Sequence, residues 1–186
     1  NMVHKANSLW HSDSSFKPVP ALASFLSAKT VPPEGGETEY ASMILAWDDL
    51  PEATKSKVEG KVALHHFATS RNRIDPDMVS VAEHDELPPV RQIMVRDIPE
   101  TGKRALYVGS HTSAIEGVTD DVASTLIDEL LDFATAPDKV YTHKWREGDA
   151  VLWDNRAVVH RGRPFARDKH ARVMIRTTIA GDRPTV

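Results

Sequence analysis

The chain has 186 residues, 40% of them hydrophobic and 27% charged, and carries a formal net charge of -4. This balance describes a single globular domain with a substantial core and excludes disordered and collagen-like classes. Its net negative charge offers no basic field for nucleic acid or anionic lipid, so the expected partner is a small molecule, with no nucleic acid and no membrane. No apolar run is long enough to span a bilayer as a helix. The absence of cysteine removes disulfides and thiolate ligands and leaves His, Asp and Glu as the metal chemistry, in keeping with a cytoplasmic setting. No secretory signal is visible, and Asn1-Met2-Val3-His4-Lys5 does not read as a natural start.

In chain order, the first distinctive stretch is Leu9-Trp10-His11-Ser12-Asp13-Ser14-Ser15-Phe16. On an extended backbone His11 and Asp13 point to one face. Ala21 to Val31 is apolar and small-residue rich and predicts a largely buried strand, closed by the turn Pro32-Pro33-Glu34-Gly35-Gly36. Thr38-Glu39-Tyr40 resumes an extended chain. Asp48-Asp49-Leu50-Pro51 predicts the start of an exposed helix running toward Glu59-Gly60. The polar, weakly periodic span 75–86 predicts a loop or lid, ended by Pro88-Pro89.

Arg91 to Ile98 and Arg104 to Gly109 predict a hairpin turning at Pro99-Glu100-Thr101-Gly102-Lys103. Asp121 to Thr135 repeats its apolar residues at helical spacing, with Asp120 as a cap. Val140 to Trp145, Ala150 to Trp153 and Arg172 to Ala180 complete the strands. Many short strands with few helices predict a mainly β fold with flanking helices, a jelly roll, in one domain over 1–186.

A neutral imidazole and a carboxylate on one face supply two ligands for an Fe(II)-type ion if a third comes from elsewhere. His160 is the candidate, carried inward by Ala157-Val158-Val159, although a core histidine bonded to backbone fits the same pattern. On the last strand Arg172, Met174, Arg176 and Thr178 share one face, and Val173, Ile175, Thr177 and Ile179 share the other. Should the aliphatic face pack outward under helices, both arginines point into the barrel and need an anion. An exposed strand with its arginines in water is the alternative.

These residues resemble the Fe(II)- and 2-oxoglutarate-dependent dioxygenases. More narrowly, the His11 stretch, Pro32-Pro33-x-Gly35-Gly36-x-Thr38-Glu39 and Trp153-Asp154-Asn155-Arg156 with His160 resemble the taurine dioxygenase and 2,4-dichlorophenoxyacetate dioxygenase group, from about Ser8 to Asp182. The resemblance implies a double-stranded β-helix and an Fe(II) site formed by His11, Asp13 and His160, with 2-oxoglutarate and O2 as cosubstrates. It implies that Thr38 and Arg176 bind 2-oxoglutarate and that Arg172 contacts the anionic end of the substrate. His111 is a further substrate-side candidate, because Ser14 to Phe16 and Gly109-Ser110-His111 look closer to the phenoxyacetate branch.

The resemblance further implies that the chain is the C-terminal portion of a longer, N-terminally extended catalytic domain, and homo-oligomerisation is compatible with it. The implied reaction is hydroxylation of an anionic small molecule, most naturally an aryloxyalkanoate, with release of succinate and CO2. Taurine or another sulfonate is the close alternative; a Zn(II) hydrolase on the same ligands and a non-catalytic binding barrel are the alternatives from other classes. His65 is expected to be a surface or structural histidine, and His4, His66, His84, His143 and His170 are expected to face solvent.

Overall fold

The computed structural model describes residues 6–75 and 87–186. Eleven strands and four α-helices follow one another among them, and two three-stranded sheets face each other across the region where the predicted site residues meet. The first contains β1 (Ala21–Thr30) between β11 (Val173–Ala180) and β9 (Ala150–Asp154). The second contains β2 (Thr38–Ser42) between β10 (Val158–Gly162) and β8 (Val140–His143). All four pairings are antiparallel and join segments distant in sequence, the arrangement of a jelly roll.

Register decides which side chains face inward. Leu26 lies opposite Arg176 and Val151, and Ser24 lies opposite Trp153 and Thr178, so these residues share one face of the first sheet. In the second sheet His160 lies opposite Tyr40, and Gly162 opposite Thr38. The Tyr40 ring meets the Trp153 ring edge-on, 5.5 Å between centroids, and closes the two sheets onto each other.

The back of the second sheet packs into the main core through Ala41 and Val159. That core is completed by α1 (Met43–Asp49), α2 (Glu52–Val58) and α4 (Asp120–Ala134). In α4, Leu126, Ile127, Leu130 and Leu131 are buried, each contributing about 1.5–3 kcal/mol by removing apolar surface from water. A third sheet, β3 (Val62–His65) between β4 (Val90–Ile93) and β7 (Thr112–Ile115), and the hairpin of β5 (Val95–Ile98) with β6 (Lys103–Leu106) finish the body. Helix α3 (Phe67–Asn72) follows β3.

Several expectations are corrected. The exposed helix expected to start at Asp48-Asp49-Leu50-Pro51 and run toward Glu59-Gly60 is α2, with Pro51 at its N-cap. The preceding helix α1 was not anticipated, and Pro51, which cannot donate a helical hydrogen bond, separates the two. The hairpin is β5–β6 only; Arg91 belongs to β4, in a different sheet, since Met94 breaks the run. His11 and Asp13 do not lie on a strand. His11 makes an isolated bridge, and Asp13 opens a turn containing Ser14 at φ 56.

Among the described residues, no helix covers the aliphatic face of β11. Val173, Ile175 and Ile179 are exposed, as are Phe25 on β1 and Leu152 on β9, the same outer face of the first sheet. The loop expected over 75–86 lies, apart from Asp75, outside the described residues, as do His4 and His84. His66 and His143 are partly buried rather than exposed, and His170 is exposed.

Candidate metal centre and its cavity

His11 and His160 are brought together by backbone before their side chains play any part. The His11 N–H donates to the His160 carbonyl at 3.0 Å and the His160 N–H returns to the His11 carbonyl at 2.9 Å. Their rings lie 4.3 Å apart, both buried. Gly109 backs this bridge; a Cβ there would stand 3.4 Å from the His11 Cα, and the next residue's N–H donates to the Trp10 carbonyl at 2.8 Å.

Each imidazole is prepared for a metal. His11 Nδ1 is 2.8 Å from the Leu9 carbonyl, which only accepts, so Nδ1 carries the proton and Nε2 keeps its lone pair. Burial lowers the pKa of His11 from its ordinary value and pushes His160 down to about 3, with His11 adding to the shift of His160. Both are neutral at physiological pH, the form that ligates.

Asp13 completes the set. Its Oδ1 lies 3.8 Å from His11 Nε2 and its Oδ2 lies 3.8 Å from His160 Nε2. Burial opposes its ionisation, yet the two histidines, the Ser24 hydroxyl and Arg176 together hold the carboxyl below its ordinary range. One ligand atom from each of His11, Asp13 and His160 falls within 4.8 Å of the others, all three residues buried. Two imidazole nitrogens and one carboxylate suit a divalent first-row ion such as Fe(II), and the donor chemistry therefore fits.

The three ligands sit in a cavity of about 810 Å³. Arg176 enters from β11, with Nη1 3.4 Å from Asp13 Oδ1 and half its side chain exposed. Arg172, just before β11, reaches the turn that precedes β2, where its Nε donates to the Gly36 carbonyl at 3.0 Å. Gly36, at φ 72, permits that approach, because a Cβ would stand 3.1 Å from Arg172 Cδ. Thr38 is buried and lines the cavity; its Oγ1 accepts from Trp145 Nε1 at 2.9 Å, leaving its own proton to donate. On another wall Phe16 meets Phe67 at 5.0 Å and His111 at 4.8 Å, both edge to face.

All seven predicted site residues, His11, Asp13, Thr38, His111, His160, Arg172 and Arg176, therefore line one cavity. His65 does not. It is buried against Tyr107, with Nε2 3.3 Å from Thr112 Oγ1. Sequence reasoning missed Ser24, which donates to Asp13 Oδ2 at 2.6 Å, and the role of Asn155, whose Oδ1 accepts the Asp13 N–H at 3.2 Å. It also missed Gln92, whose Nε2 donates to the Ser15 and Lys17 carbonyls at 2.9 Å each, pinning the turn after Asp13.

A face of two histidines and one carboxylate inside a jelly roll is the donor set of the non-haem Fe(II) oxygenases. The chain belongs to the family described as taurine catabolism dioxygenase TauD, TfdA family, whose profile matches residues 1–178. It is 44% identical over 160 residues to the alpha-ketoglutarate-dependent 2,4-dichlorophenoxyacetate dioxygenase of Burkholderia sp. (strain RASC), covering 86% of this chain and 54% of that protein. It is 38% identical over 187 residues to the (S)-phenoxypropionate/alpha-ketoglutarate-dioxygenase of Sphingobium herbicidovorans, covering 97% of this chain and 64% of that protein. The chain thus spans between about half and two thirds of the length of these relatives. The crystal structure of AAD-2 in complex with Mn(II) and N-oxalylglycine superposes with a TM-score of 0.95 at 40% identity, covering 100% of this chain and 73% of that one.

Proposed function

We propose that residues 1–186 belong to the catalytic domain of an Fe(II)- and 2-oxoglutarate-dependent dioxygenase that hydroxylates an anionic aryl small molecule, an aryloxyalkanoate in preference to taurine or another sulfonate. The observation that carries this reading is the meeting of His11, Asp13 and His160 within 4.8 Å inside a cavity that also receives Arg172, Arg176 and Thr38. His11 and His160 would hold iron through Nε2, and Asp13 through its carboxylate. Bound there, iron supplies the activation of dioxygen that couples conversion of 2-oxoglutarate to succinate and CO2 with substrate hydroxylation.

The chain's own residues divide the remaining work. 2-Oxoglutarate is a dianion whose keto acid end would lie at the metal, so its far carboxylate needs a cation set back from the ligands, beside a hydroxyl donor. Arg172 and Thr38 meet that need better than Arg176 does. Arg172 is anchored two residues before Thr38 and keeps its terminal nitrogens for a carboxylate, whereas Arg176 stands next to Asp13. The reading therefore exchanges the two arginine roles implied by the family resemblance. Arg176 neutralises the anionic end of the substrate beside the metal.

The wall of Phe16, Phe67 and His111 supports an aryl group over a small aliphatic sulfonate, since edge-to-face aromatic packing is available there. The names of the relatives agree with that class. For an aryloxyacetate, hydroxylation at the carbon beside the ether oxygen gives a hemiacetal that collapses to a phenol and glyoxylate. A cysteine-free chain, with no described helix long and apolar enough to cross a membrane, is in keeping with a cytoplasmic enzyme.

The test is succinate formation from Fe(II), 2-oxoglutarate and O2 over a panel of aryloxyalkanoates and sulfonates. Aryloxyalkanoate-dependent succinate and phenol are expected. Oxygen-independent hydrolysis supported by Zn(II), or binding of the panel without cosubstrate turnover, would overturn the reading.

A further inference from the structure

We propose that Ser24, oriented by Asn155, is a positioning residue for Asp13: its hydroxyl occupies the carboxylate oxygen Oδ2 and leaves Oδ1 as the single oxygen offered to the metal. The proposal rests on the reading of His11, Asp13 and His160 as metal ligands.

The three residues close a hydrogen-bonded ring. The Asp13 backbone N–H donates to Asn155 Oδ1 at 3.2 Å, Asn155 Nδ2 donates to Ser24 Oγ at 2.9 Å, and Ser24 Oγ donates to Asp13 Oδ2 at 2.6 Å. The direction of every bond follows from what each group is able to do. Trp153 Nε1–H also ends on Asn155 Oδ1, at 3.0 Å. An indole N–H and a backbone N–H only donate, so the Asn155 atom they share is its oxygen, and its NH2 faces Ser24. That NH2 only donates, so the Ser24 oxygen accepts it and the serine proton is directed to Asp13 Oδ2.

The ring ties the Asp13 side chain to its own backbone. Ser24 is 0% exposed and Asn155 1%, so bulk water has no access to replace either partner. The Ser12 hydroxyl holds the Asn155 carbonyl at 2.5 Å and fixes the far side of the ring. Oδ1 is left with the longer contact from Arg176 at 3.4 Å and lies 3.8 Å from His11 Nε2.

The chemistry requires such a restraint. An ion held by one atom from each of His11, Asp13 and His160 would keep room for 2-oxoglutarate and dioxygen. A carboxylate that swung to bind through both oxygens would reduce that room. Ser24 opposes that swing by holding Oδ2 in place.

The test uses metal-free protein titrated with Mn(II), followed by 2-oxoglutarate titrated into the Mn(II)-loaded form, for wild type, Ser24→Ala, Ser24→Thr and Ser24→Val. Thr and Val fill nearly the same volume and differ in the hydroxyl, so any packing defect from the added bulk is common to both. Ser24→Ala and Ser24→Val are expected to weaken Mn(II) binding by about 10- to 100-fold and to weaken 2-oxoglutarate binding at saturating Mn(II), with Ser24→Thr close to wild type. Equal Mn(II) affinity in the Thr and Val variants, or unchanged affinity in Ser24→Ala, would overturn the positioning role alone. A wild-type protein that binds no Mn(II) would overturn it together with the metal reading.

Discussion

His11 and His160 exchange a pair of backbone hydrogen bonds, 3.0 and 2.9 Å long, and through that single bridge residues from opposite ends of the chain present their imidazoles to one point. Because the bridge is made by main chain, the approach of the two histidine segments does not depend on their imidazoles. His160→Ala should consequently leave the fold intact while removing a ligand. Far-ultraviolet circular dichroism of the variant should match wild type, while Mn(II) affinity falls at least about 100-fold, the scale of a lost metal-ligand bond relative to the 10- to 100-fold loss of an outer partner.

The two cavity arginines should separate kinetically. Arg172→Gln is expected to raise KM for 2-oxoglutarate by about 10- to 100-fold, the value of a charge-assisted hydrogen bond near 1.5–3 kcal/mol. Arg176→Gln should raise KM chiefly for the aryloxyalkanoate. Steady-state kinetics with each substrate varied in turn checks the division, and the reverse pattern would restore the roles implied by the family resemblance.

Gln92 is 0% exposed, donates to the Ser15 and Lys17 carbonyls and accepts from Thr185 Oγ1 at 2.7 Å. Gln92→Leu keeps the volume and leaves the buried Ser15 carbonyl and the partly buried Lys17 carbonyl without that donor. It should cost about 2–4 kcal/mol of stability, read as a lowered midpoint in urea denaturation.

His65 predicts an acid-sensitive fold. Burial, reinforced by Arg96, pushes its pKa down to about 3 from 6.5. Between those values the unfolded chain binds a proton that the folded chain does not, so stability is full above about pH 6.5 and falls as pH drops toward 3. His65→Asn should flatten the dependence by about 1.4 kcal/mol per pH unit in that window. Denaturation at pH 7 and pH 5 measures it; the slope does not vanish, because His11, His111 and His160 are also shifted down by burial.

The legible parts of the molecule are those written in local pattern. Helix α4 follows from its apolar spacing, and alternation from Arg172 into β11 places Arg172 and Arg176 on one face. Whether that face looks into the barrel or into solvent is decided only by the pairing of β11 with β1. His11, Asp13 and His160 were found through motifs, although the backbone between His11 and Asp13 is a bridge and a turn rather than a strand. Ser24 and Gln92 were not legible. A small polar residue in Ala21–Thr30 and an amide in β4 look the same whether they face water or a buried partner, and only the tertiary pairing shows which. Nor does an aliphatic stripe on β11 reveal whether anything covers it; its outer face is exposed here.

The central claim, a three-residue Fe(II) site that also receives 2-oxoglutarate, is tested most directly by anaerobic visible spectroscopy. Adding Fe(II) and 2-oxoglutarate to the protein should produce a weak charge-transfer band from chelation of the keto acid, lost in His160→Ala and requiring more cosubstrate in Arg172→Gln. Absence of the band in wild type, or its full retention in His160→Ala, would contradict the account.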